Sequence, residues 1–333
     1  MIRVGERGGM GSERAERLNV VVLGDPGDPL LQTLSARDDA TFVIAKDEDA
    51  LAAAAPDADA ILSWWANRDL LDAVLARAPR ARWVHSIATG LDRITSPTLT
   101  AHPSVLTNTR DVFSPALAEF AALGMLFFAK NAARLLRARD AKRWDPFEVE
   151  TLRGKILGVV GFGSIGRETA RLAAAFGMKV HVHRRHPERQ RPDPLVSELV
   201  VDRRELFATS DYVVLAAPLT PETRHLAAAA ELTRMKPSAV LINVGRGALI
   251  DEPALIDVLE RRAIRGAALD VFATEPLPPE HPFFAMENVL LSPHCADRTA
   301  TWLAEALALF LENLGRFRAG APLLHPVDKA LGY

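Results

Sequence analysis

The chain has 333 residues, a length that favours two domains, and its 49% hydrophobic against 25% charged residues exclude a largely disordered protein. Its 40 Lys and Arg against 42 Asp and Glu leave a net charge of -2, so it has no basic excess of the kind that binds nucleic acid. The single cysteine, Cys295, excludes an internal disulfide framework and a multi-thiolate metal site, and it predicts a reducing, cytoplasmic location.

The N-terminal segment carries charge throughout. Residues 1–18 contain no apolar core of the kind found in a secretory signal, so we expect a disordered extension there. The longest apolar stretch, 115–129, is interrupted by Glu119 and is shorter than the roughly 20 residues that a membrane span needs. The sequence therefore predicts neither a signal peptide nor a membrane partner.

Short β-branched runs alternate with segments of helical length from Asn19 onward, which predicts an α/β fold of parallel sheets covered by helices on both faces. The first part predicts strands over 20–23, 60–64 and 83–86 and helices over 47–55 and 68–78. Ser114, as a hydroxyl cap, and Pro115, at the first helical position, predict the start of another helix. That helix is apolar almost all round, so we expect it to be buried between domains or subunits.

The second part is more regular and predicts a complete doubly wound parallel sheet. Its predicted strands cover 155–160, 178–183, 198–201, 212–216, 239–244, 267–271 and 289–291. A final helix over 298–317 would return to the first domain. These elements predict a dinucleotide-binding domain over 114–298 and a discontinuous substrate domain built from 19–113 and 299–333.

A glycine-rich turn follows the strand that ends at Val160. Gly161, Gly163 and Gly166, with Ser164 and Ile165 between them, open a helix that we expect to end at Gly177. In this setting the glycines permit a tight turn and close approach to a pyrophosphate, which the helix N-terminus attracts. The turn therefore predicts a bound dinucleotide.

The next strand ends in a basic segment, where dinucleotide-binding domains usually carry an acid that binds the ribose hydroxyls. Arg184 and Arg185 occupy this place, with Arg189 and Arg191 close behind. Guanidinium groups bind phosphate in a bidentate manner, whereas a carboxylate repels it. The segment favours NADP(H) over NAD(H), with Arg184 and Arg185 gripping the 2′-phosphate; the alternative is an exposed basic loop.

Three charged side chains follow successive predicted strands at the sheet edge where ligands bind. Arg246 would grip a substrate carboxylate and polarise the adjacent ketone, and His294 would donate a proton to the new alkoxide. Glu275, hydrogen-bonded to the other ring nitrogen, would favour the imidazolium form of His294. Each residue alone has a structural explanation, but their joint placement beside a nucleotide fold favours reduction of a 2-oxo acid by hydride transfer.

These segments resemble the D-isomer-specific 2-hydroxyacid dehydrogenase family over nearly the whole chain after Asn19. The resemblance rests on the glycine turn, on the segments around the three charged residues, and on SIATGLD at 86–92, TNTRDVFS at 107–114 and AAPLTPET at 216–223. It implies two Rossmann-like domains with the active site in the cleft between them, and homodimerisation chiefly through the nucleotide-binding domain. At position 184, where NAD-dependent members carry Asp, this chain carries Arg. In this respect it resembles the NADPH-dependent glyoxylate and hydroxypyruvate reductases.

The resemblance also implies roles for individual residues. Arg246, Glu275 and His294 occupy the family's catalytic positions, and Asp270 that of the residue that contacts the nicotinamide amide. The backbone amides around Ala88, Thr89 and Gly90 would bind the substrate carboxylate with Arg246. Further residues would line the cofactor: Ala217, Pro218, Thr223, Val244, Gly245 and His294.

Other side chains have weaker functional interpretations. Cys295 adjoins His294, but we expect a structural rather than a nucleophilic role. His181 and His183 share one face of a strand, for which we prefer strand packing or an adenine-ribose contact over a metal site. Trp64, Trp65 and Trp302 either belong to the core or form a wall of the substrate pocket.

Two other functions compete with an NADPH-dependent reductase of glyoxylate or hydroxypyruvate. One is an NAD-linked dehydrogenase of the phosphoglycerate type, which the missing regulatory domain and the arginines after the second strand disfavour. The other is a dinucleotide-sensing interaction protein, as in the family's transcriptional corepressor branch. The intact catalytic set and the tail of only sixteen residues after Phe317 disfavour that function.

Overall fold

The structure, a computed structural model, describes residues 17–65, 67–189 and 192–332. Its first sheet has five parallel strands in the order β2-β1-β3-β4-β5. The strands are β1 (Leu18–Leu23), β2 (Ala40–Ala45), β3 (Ala60–Ser63), β4 (Trp83–Ser86) and β5 (Val105–Asn108). The helices between them are α1 (Pro29–Gln32), α2 (Glu48–Ala54), α3 (Arg68–Leu75) and α4 (Pro97–Ala101).

The two outer strands of this sheet, β2 and β5, were not among the sequence predictions. β2 has the sequence ATFVIA, an apolar run that the prediction overlooked, and as an edge strand it is only partly buried. β5 has the sequence VLTN, in which two apolar residues are followed by two polar ones, so it lacks the continuous apolar run of a buried parallel strand. Of the expected N-terminal extension, residues 1–16 lie outside the described residues, and the strand already begins at Leu18.

Two consecutive helices leave the first sheet: α5 (Ser114–Ala129) and α6 (Ala132–Asp140). The expected cap at Ser114 is wrong by one residue, because Phe113 takes the cap position without a side-chain hydrogen bond and Ser114 is a buried part of the helix. Pro115 fits the first turn because the amides there have no intrahelical acceptor. The apolar helix is buried as expected, and it packs against α7 (Ser164–Ala175) of the second unit.

The second sheet has seven parallel strands in the order β12-β11-β10-β9-β6-β7-β8. These strands are β6 (Ile156–Val160), β7 (Lys179–His183), β8 (Glu198–Leu199), β9 (Tyr212–Leu215), β10 (Val240–Asn243), β11 (Gly266–Leu269) and β12 (Val289–Leu291). Between them lie α7, α8 (Arg203–Thr209), α9 (Ala229–Leu232) and α10 (Glu252–Glu260). The strand order reverses between β6 and β9, and such a switch point is where this architecture binds ligands.

Several boundaries in the second half differ from the sequence predictions, and β11 ends at Leu269 rather than at residue 271. β8 ends at Leu199 rather than at residue 201, because this edge strand has only β7 to pair with. The last helix, α11 (Trp302–Arg318), begins four residues later than expected. The residues before it are held in a turn, since the amides of Cys295 and Ala296 donate to Asp270.

The chain end returns to the first sheet, as predicted. Phe310 of α11 stacks on Trp83 of β4 with ring centroids 5.2 Å apart, and Pro326 forms a β-bridge with Thr107. Within the described ranges, no single helix is long and apolar enough to cross a membrane, and α5 and α6 reach that length only as a pair bent by 65°.

Candidate functional site

The glycine-rich turn lies at the switch point of the seven-stranded sheet. Gly161 has a φ of +93°, and a Cβ there would lie 2.7 Å from the Cα and amide nitrogen of Ala217. A Cβ at Gly166 would lie 2.2 Å from the carbonyl oxygen of Gly161. At Gly163, by contrast, no heavy atom of the described residues lies within 4 Å of such a Cβ. The turn thus closes on itself and leaves open space before the first turn of α7.

The neighbouring loop, 216–223, is fixed from within. The Thr223 hydroxyl donates to the carbonyl oxygen of Pro218 at 2.7 Å and accepts a hydrogen bond from the Thr220 amide at 2.7 Å. The start of this loop, at Ala217, lies against Gly161 of the glycine turn. On the next strand, the Val244 amide donates to Leu215 and the Gly245 amide to the Asn243 side chain.

The basic segment after β7 presents one half-buried and one exposed guanidinium, Arg184 and Arg185 respectively. An Arg185 nitrogen lies 3.5 Å from an oxygen of Glu222 in the 216–223 loop. An acid therefore approaches this segment from another part of the chain, which local sequence did not predict. Arg191 lies outside the described residues, as does the side chain of Arg189.

Glu275 and His294 form a hydrogen-bonded pair. His294 Nδ1 lies 2.7 Å from Glu275 Oε2, while Glu275 Oε1 accepts the Phe272 amide at 3.1 Å. His294 has a φ of +51°, the left-handed region that side chains rarely adopt, so the loop holds it in a strained backbone conformation. Because Nδ1 faces the carboxylate, Nε2 is the ring nitrogen left to act on a substrate.

Arg246 is held on two sides. Its Nε donates to Asp92 Oδ1 at 2.9 Å, and Nη1 donates to the Gly245 carbonyl oxygen at 2.9 Å. Its Nη2 lies so close to Gly90 that a Cβ at that position would be only 1.6 Å away. Asp92 and Gly90 belong to the loop after β4, so the structure brings Arg246 together with the loop of the first sheet that was expected to bind the carboxylate.

The backbone amides of the loop after β4 differ in whether they already donate a hydrogen bond. The Ala88 amide donates to Ser86 Oγ at 3.2 Å, so it is already engaged. Asn108 and Thr109 hold the loop in place through hydrogen bonds with Thr89. Among the described residues, the amides of Thr89 and Gly90 donate to no acceptor.

Asp270 is buried next to the loop that carries His294. Its Oδ1 accepts hydrogen bonds from the Ser292 hydroxyl at 2.6 Å and from the amides of Cys295 and Ala296. Its Oδ2 is buried and has no hydrogen-bond partner in the described part of the chain. Burial raises the pKa of this carboxyl above its ordinary value. An unpartnered oxygen here fits an amide N–H of a nicotinamide carboxamide.

The three tryptophans divide into core and surface. Trp64 is 2% exposed and donates its indole N–H to Asp28, so it belongs to the core. Trp65 is 56% exposed and packs edge-on against Trp302 with ring centroids 5.4 Å apart. Because Ser63 and Ser86 pair in register, Trp65 leaves β3 beside the loop that carries Gly90.

The remaining sequence candidates have structural contacts. Cys295 is exposed, and its amide donates to Asp270. His183 lies 3.0 Å from the Val200 carbonyl oxygen, and His181 Nδ1 lies 3.4 Å from a Glu198 oxygen, so both contact the edge strand region. In the described ranges no three His, Cys, Asp or Glu side chains are placed to hold a metal ion.

Sequence reasoning assigned no role to three residues that shape this site. Asp92 holds Arg246, Ser292 holds Asp270, and the buried Asn243 donates to the Arg246 carbonyl oxygen at 2.9 Å. Ser292 and Asn243 lie in the same sequence segments as His294 and Arg246, so their position in the sequence could have identified them. Asp92 lies far from them in sequence, and only the fold shows its contact.

Comparison with known proteins adds independent information. The family model described as D-isomer specific 2-hydroxyacid dehydrogenase, NAD binding domain, matches residues 122–296. A glyoxylate reductase of Aeropyrum pernix is 37% identical over 287 residues, which cover 82% of this chain and 83% of that protein.

Two solved structures are similar over almost the whole chain. A D-isomer specific 2-hydroxyacid dehydrogenase from Xanthobacter autotrophicus Py2, in complex with NADPH and MES, has a TM-score of 0.82 and 30% identity, covering 96% of this chain and 100% of its own. An NADPH-dependent glyoxylate/hydroxypyruvate reductase from Sinorhizobium meliloti, in complex with NADP and sulfate, has a TM-score of 0.82 and 26% identity with the same coverage.

Proposed function

The chain belongs to the D-isomer-specific 2-hydroxyacid dehydrogenase family, and on this premise we propose that it reduces small 2-oxo acids of the glyoxylate and hydroxypyruvate type to D-2-hydroxy acids with NADPH. It is an NAD(P)-dependent oxidoreductase with a Rossmann-like fold. The observation that carries the proposal is the hydrogen-bonded Glu275–His294 pair, which the loop after β4 connects to Arg246.

Each charged residue has a separate task in this reaction. Arg246 grips the substrate carboxylate and polarises the ketone oxygen, and the amides of Thr89 and Gly90 assist it. His294 donates the proton on Nε2 to the oxygen that becomes the hydroxyl. Glu275 accepts a hydrogen bond from the other ring nitrogen and thereby turns the Nε2 side of the ring toward the substrate. The dihydronicotinamide, when bound, supplies the hydride.

The residues of the seven-stranded sheet suit the dinucleotide. The open space before α7 would receive the pyrophosphate, with Gly161, Gly163, Ser164, Ile165 and Gly166 around it. The 216–223 loop, Val244 and Gly245 would line the cofactor, and Asp270 Oδ2 would accept the carboxamide N–H. Arg184 and Arg185 would bind the 2′-phosphate, which is the basis for preferring NADP(H); the structures of the Xanthobacter and Sinorhizobium proteins contain NADPH and NADP.

The proposed domain division follows the two sheets. Residues 19–113 and 299–333 form the substrate domain in this proposal, supported by the stacking of Phe310 on Trp83. Residues 114–298 form the nucleotide-binding domain, supported by the packing of α5 on α7. The active site would then lie in the cleft that the Asp92–Arg246 contact bridges. The reducing compartment remains a prediction from the single cysteine.

We also propose a homodimer, built chiefly by the nucleotide-binding domain. Large apolar side chains are exposed around α5, α6 and the segment after them: Leu123, Leu135, Leu136, Trp144 and Val149. Trp144 is 98% exposed, which a monomer has no reason to retain.

Trp144→Glu is expected to weaken the dimer by at least about 30-fold, because a buried interface tryptophan often contributes 2 kcal/mol or more. Light scattering after size-exclusion chromatography over a dilution series measures this change. Val201→Glu, at an exposed apolar residue just past β8, is the control and should leave the mass unchanged. Equal masses for the wild type and Trp144→Glu at every concentration would argue against this surface.

Trp65 is proposed to limit substrate size, together with Trp302. Trp65→Ala is expected to raise kcat/KM for 2-oxoisovalerate relative to glyoxylate by about 10-fold or more, because it removes a wall beside the carboxylate-binding loop. Steady-state assays with both substrates measure the ratio. Val105→Ala is the control, because Val105 begins β5 at the amino end of the sheet, away from the strand ends that carry Trp65 and Gly90. An unchanged ratio in Trp65→Ala would place Trp65 outside the pocket.

The proposed function is tested by steady-state assay of the purified protein with NADPH and NADH against glyoxylate, hydroxypyruvate, pyruvate and 3-phosphohydroxypyruvate. We expect the highest kcat/KM with NADPH and glyoxylate or hydroxypyruvate. A preference for NADH with 3-phosphohydroxypyruvate would favour the phosphoglycerate-type dehydrogenase. Tight NADPH binding without turnover of any of these acids would favour a dinucleotide-sensing interaction protein.

A further inference from the structure

Two consecutive residues of the loop after β4 contact the charged groups of the candidate site across the two sheets. Asp92 Oδ1 accepts the Nε–H of Arg246 at 2.9 Å, and Arg93 Nη2 lies 3.6 Å from Glu275 Oε2. The charges are complementary in both contacts, since Asp92 faces Arg246 and Arg93 faces Glu275. One loop of the five-stranded unit therefore touches two of the three charged side chains that the seven-stranded unit supplies.

The contact with Asp92 constrains how Arg246 presents its donors. A guanidinium has five N–H groups in a rigid plane, so fixing one edge of the plane fixes the direction of the rest. Here Asp92 holds Nε, and the Gly245 carbonyl oxygen holds Nη1. The Nη2 group then lies over Gly90, beside the unengaged amides of the loop.

The environment makes the Asp92 contact stronger than an ordinary surface pair. The side chains of Asp92 and Arg246 are 23% and 28% exposed, whereas that of Arg93 is 77% exposed and approaches Glu275 without a hydrogen bond. A partly buried, charge-assisted hydrogen bond holds its geometry, while solvent screens an exposed pair. Of the two bridging residues, Asp92 is thus the one that orients a catalytic group.

We propose that Asp92 is a positioning residue that holds Arg246 in the orientation needed to grip the substrate carboxylate. This inference rests on the proposed function of Arg246. It also means that both units form the site for the substrate carboxylate, because Arg246 is oriented only when the loop after β4 lies against the loop after β10. Asp92 itself does not touch the substrate, since its own negative charge would repel the carboxylate.

The test compares Asp92→Ala and Asp92→Asn with the wild type. Asp92→Ala is expected to raise the KM for glyoxylate by about 10-fold or more and leave the KM for NADPH within about twofold. Asp92→Asn keeps an oxygen that accepts from Nε, so it should restore part of the loss. Asp57→Ala removes an exposed ion pair with Arg80 in the same unit and serves as the matched control.

Oxalate binding to the NADPH-loaded protein, measured by calorimetry, provides a readout that does not require turnover. The wild type is expected to bind oxalate and Asp92→Ala to bind it at least about 10-fold more weakly, with both proteins melting as cooperatively as the control. If wild type binds neither oxalate nor glyoxylate, the proposed function fails. If wild type binds oxalate and Asp92→Ala binds it equally or more tightly, Asp92 does not position Arg246 and this inference is overturned.

Discussion

Replacing His294 by Asn is expected to lower kcat for glyoxylate reduction by about 10³-fold and to leave NADPH affinity within about twofold. The asparagine removes the only proposed proton donor, and positioned general acids contribute about 10²–10⁴-fold to rates. The cofactor contacts proposed above depend mostly on the glycine turn, the basic segment and Asp270, which this change does not touch. Steady-state kinetics and NADPH fluorescence titration measure the two quantities.

Glu275→Gln is the matched companion to this experiment. It keeps the size of the side chain and an oxygen for Nδ1, but it removes the negative charge beside the ring. The loss in kcat should be smaller than in His294→Asn, because the ring that donates the proton is still present. If His294→Asn retains more than a tenth of the wild-type kcat, another group donates the proton.

The fold and the arrangement of side chains at the strand ends were largely predictable because the residues concerned are close in sequence. Gly161, Gly163 and Gly166 stand between one strand and one helix, and their spacing together with these flanking elements predicts the turn that the structure contains. The Glu275–His294 hydrogen bond was predictable because parallel strands deliver their carboxyl ends to one edge of a sheet. In such cases the local sequence pattern and the strand topology predict the same arrangement of residues.

Contacts between distant segments were not predictable in this way. Asp92 and Arg246 are 154 residues apart, and no periodicity or spacing connects them. Glu222 reaches Arg185 only because the strand order reverses between β6 and β9 and brings the 216–223 loop toward the end of β7. The strand β5 was missed for a related reason, since pairing with β4 rather than an apolar run defines it as a strand. The strand β2 was missed although its apolar run was present in the sequence.

Arg184→Asp is expected to reverse the cofactor preference, changing the ratio of kcat/KM for NADPH to that for NADH by about 10²–10³-fold. The change removes a charge-assisted hydrogen bond to the 2′-phosphate, worth about 1.5–3 kcal/mol, and places a negative charge beside that phosphate. The same carboxylate can accept hydrogen bonds from the ribose hydroxyls of NADH, so NADH efficiency should rise or stay unchanged. Assays with each cofactor at saturating glyoxylate measure the ratio.

Two variants separate this specific effect from a general change of charge. Arg171→Asp makes the same substitution at an exposed residue of α7. It should change kcat/KM for NADPH and kcat/KM for NADH by the same factor. Arg185→Ser should lower NADPH efficiency less than Arg184→Asp, because Arg185 is exposed whereas Arg184 is half-buried, and because serine introduces no negative charge. Since salt weakens contacts between exposed charges, the KM for NADPH of the wild type should rise with ionic strength more steeply than that of Arg184→Asp. Equal losses for NADPH and NADH in Arg184→Asp would mean that the segment after β7 binds no phosphate.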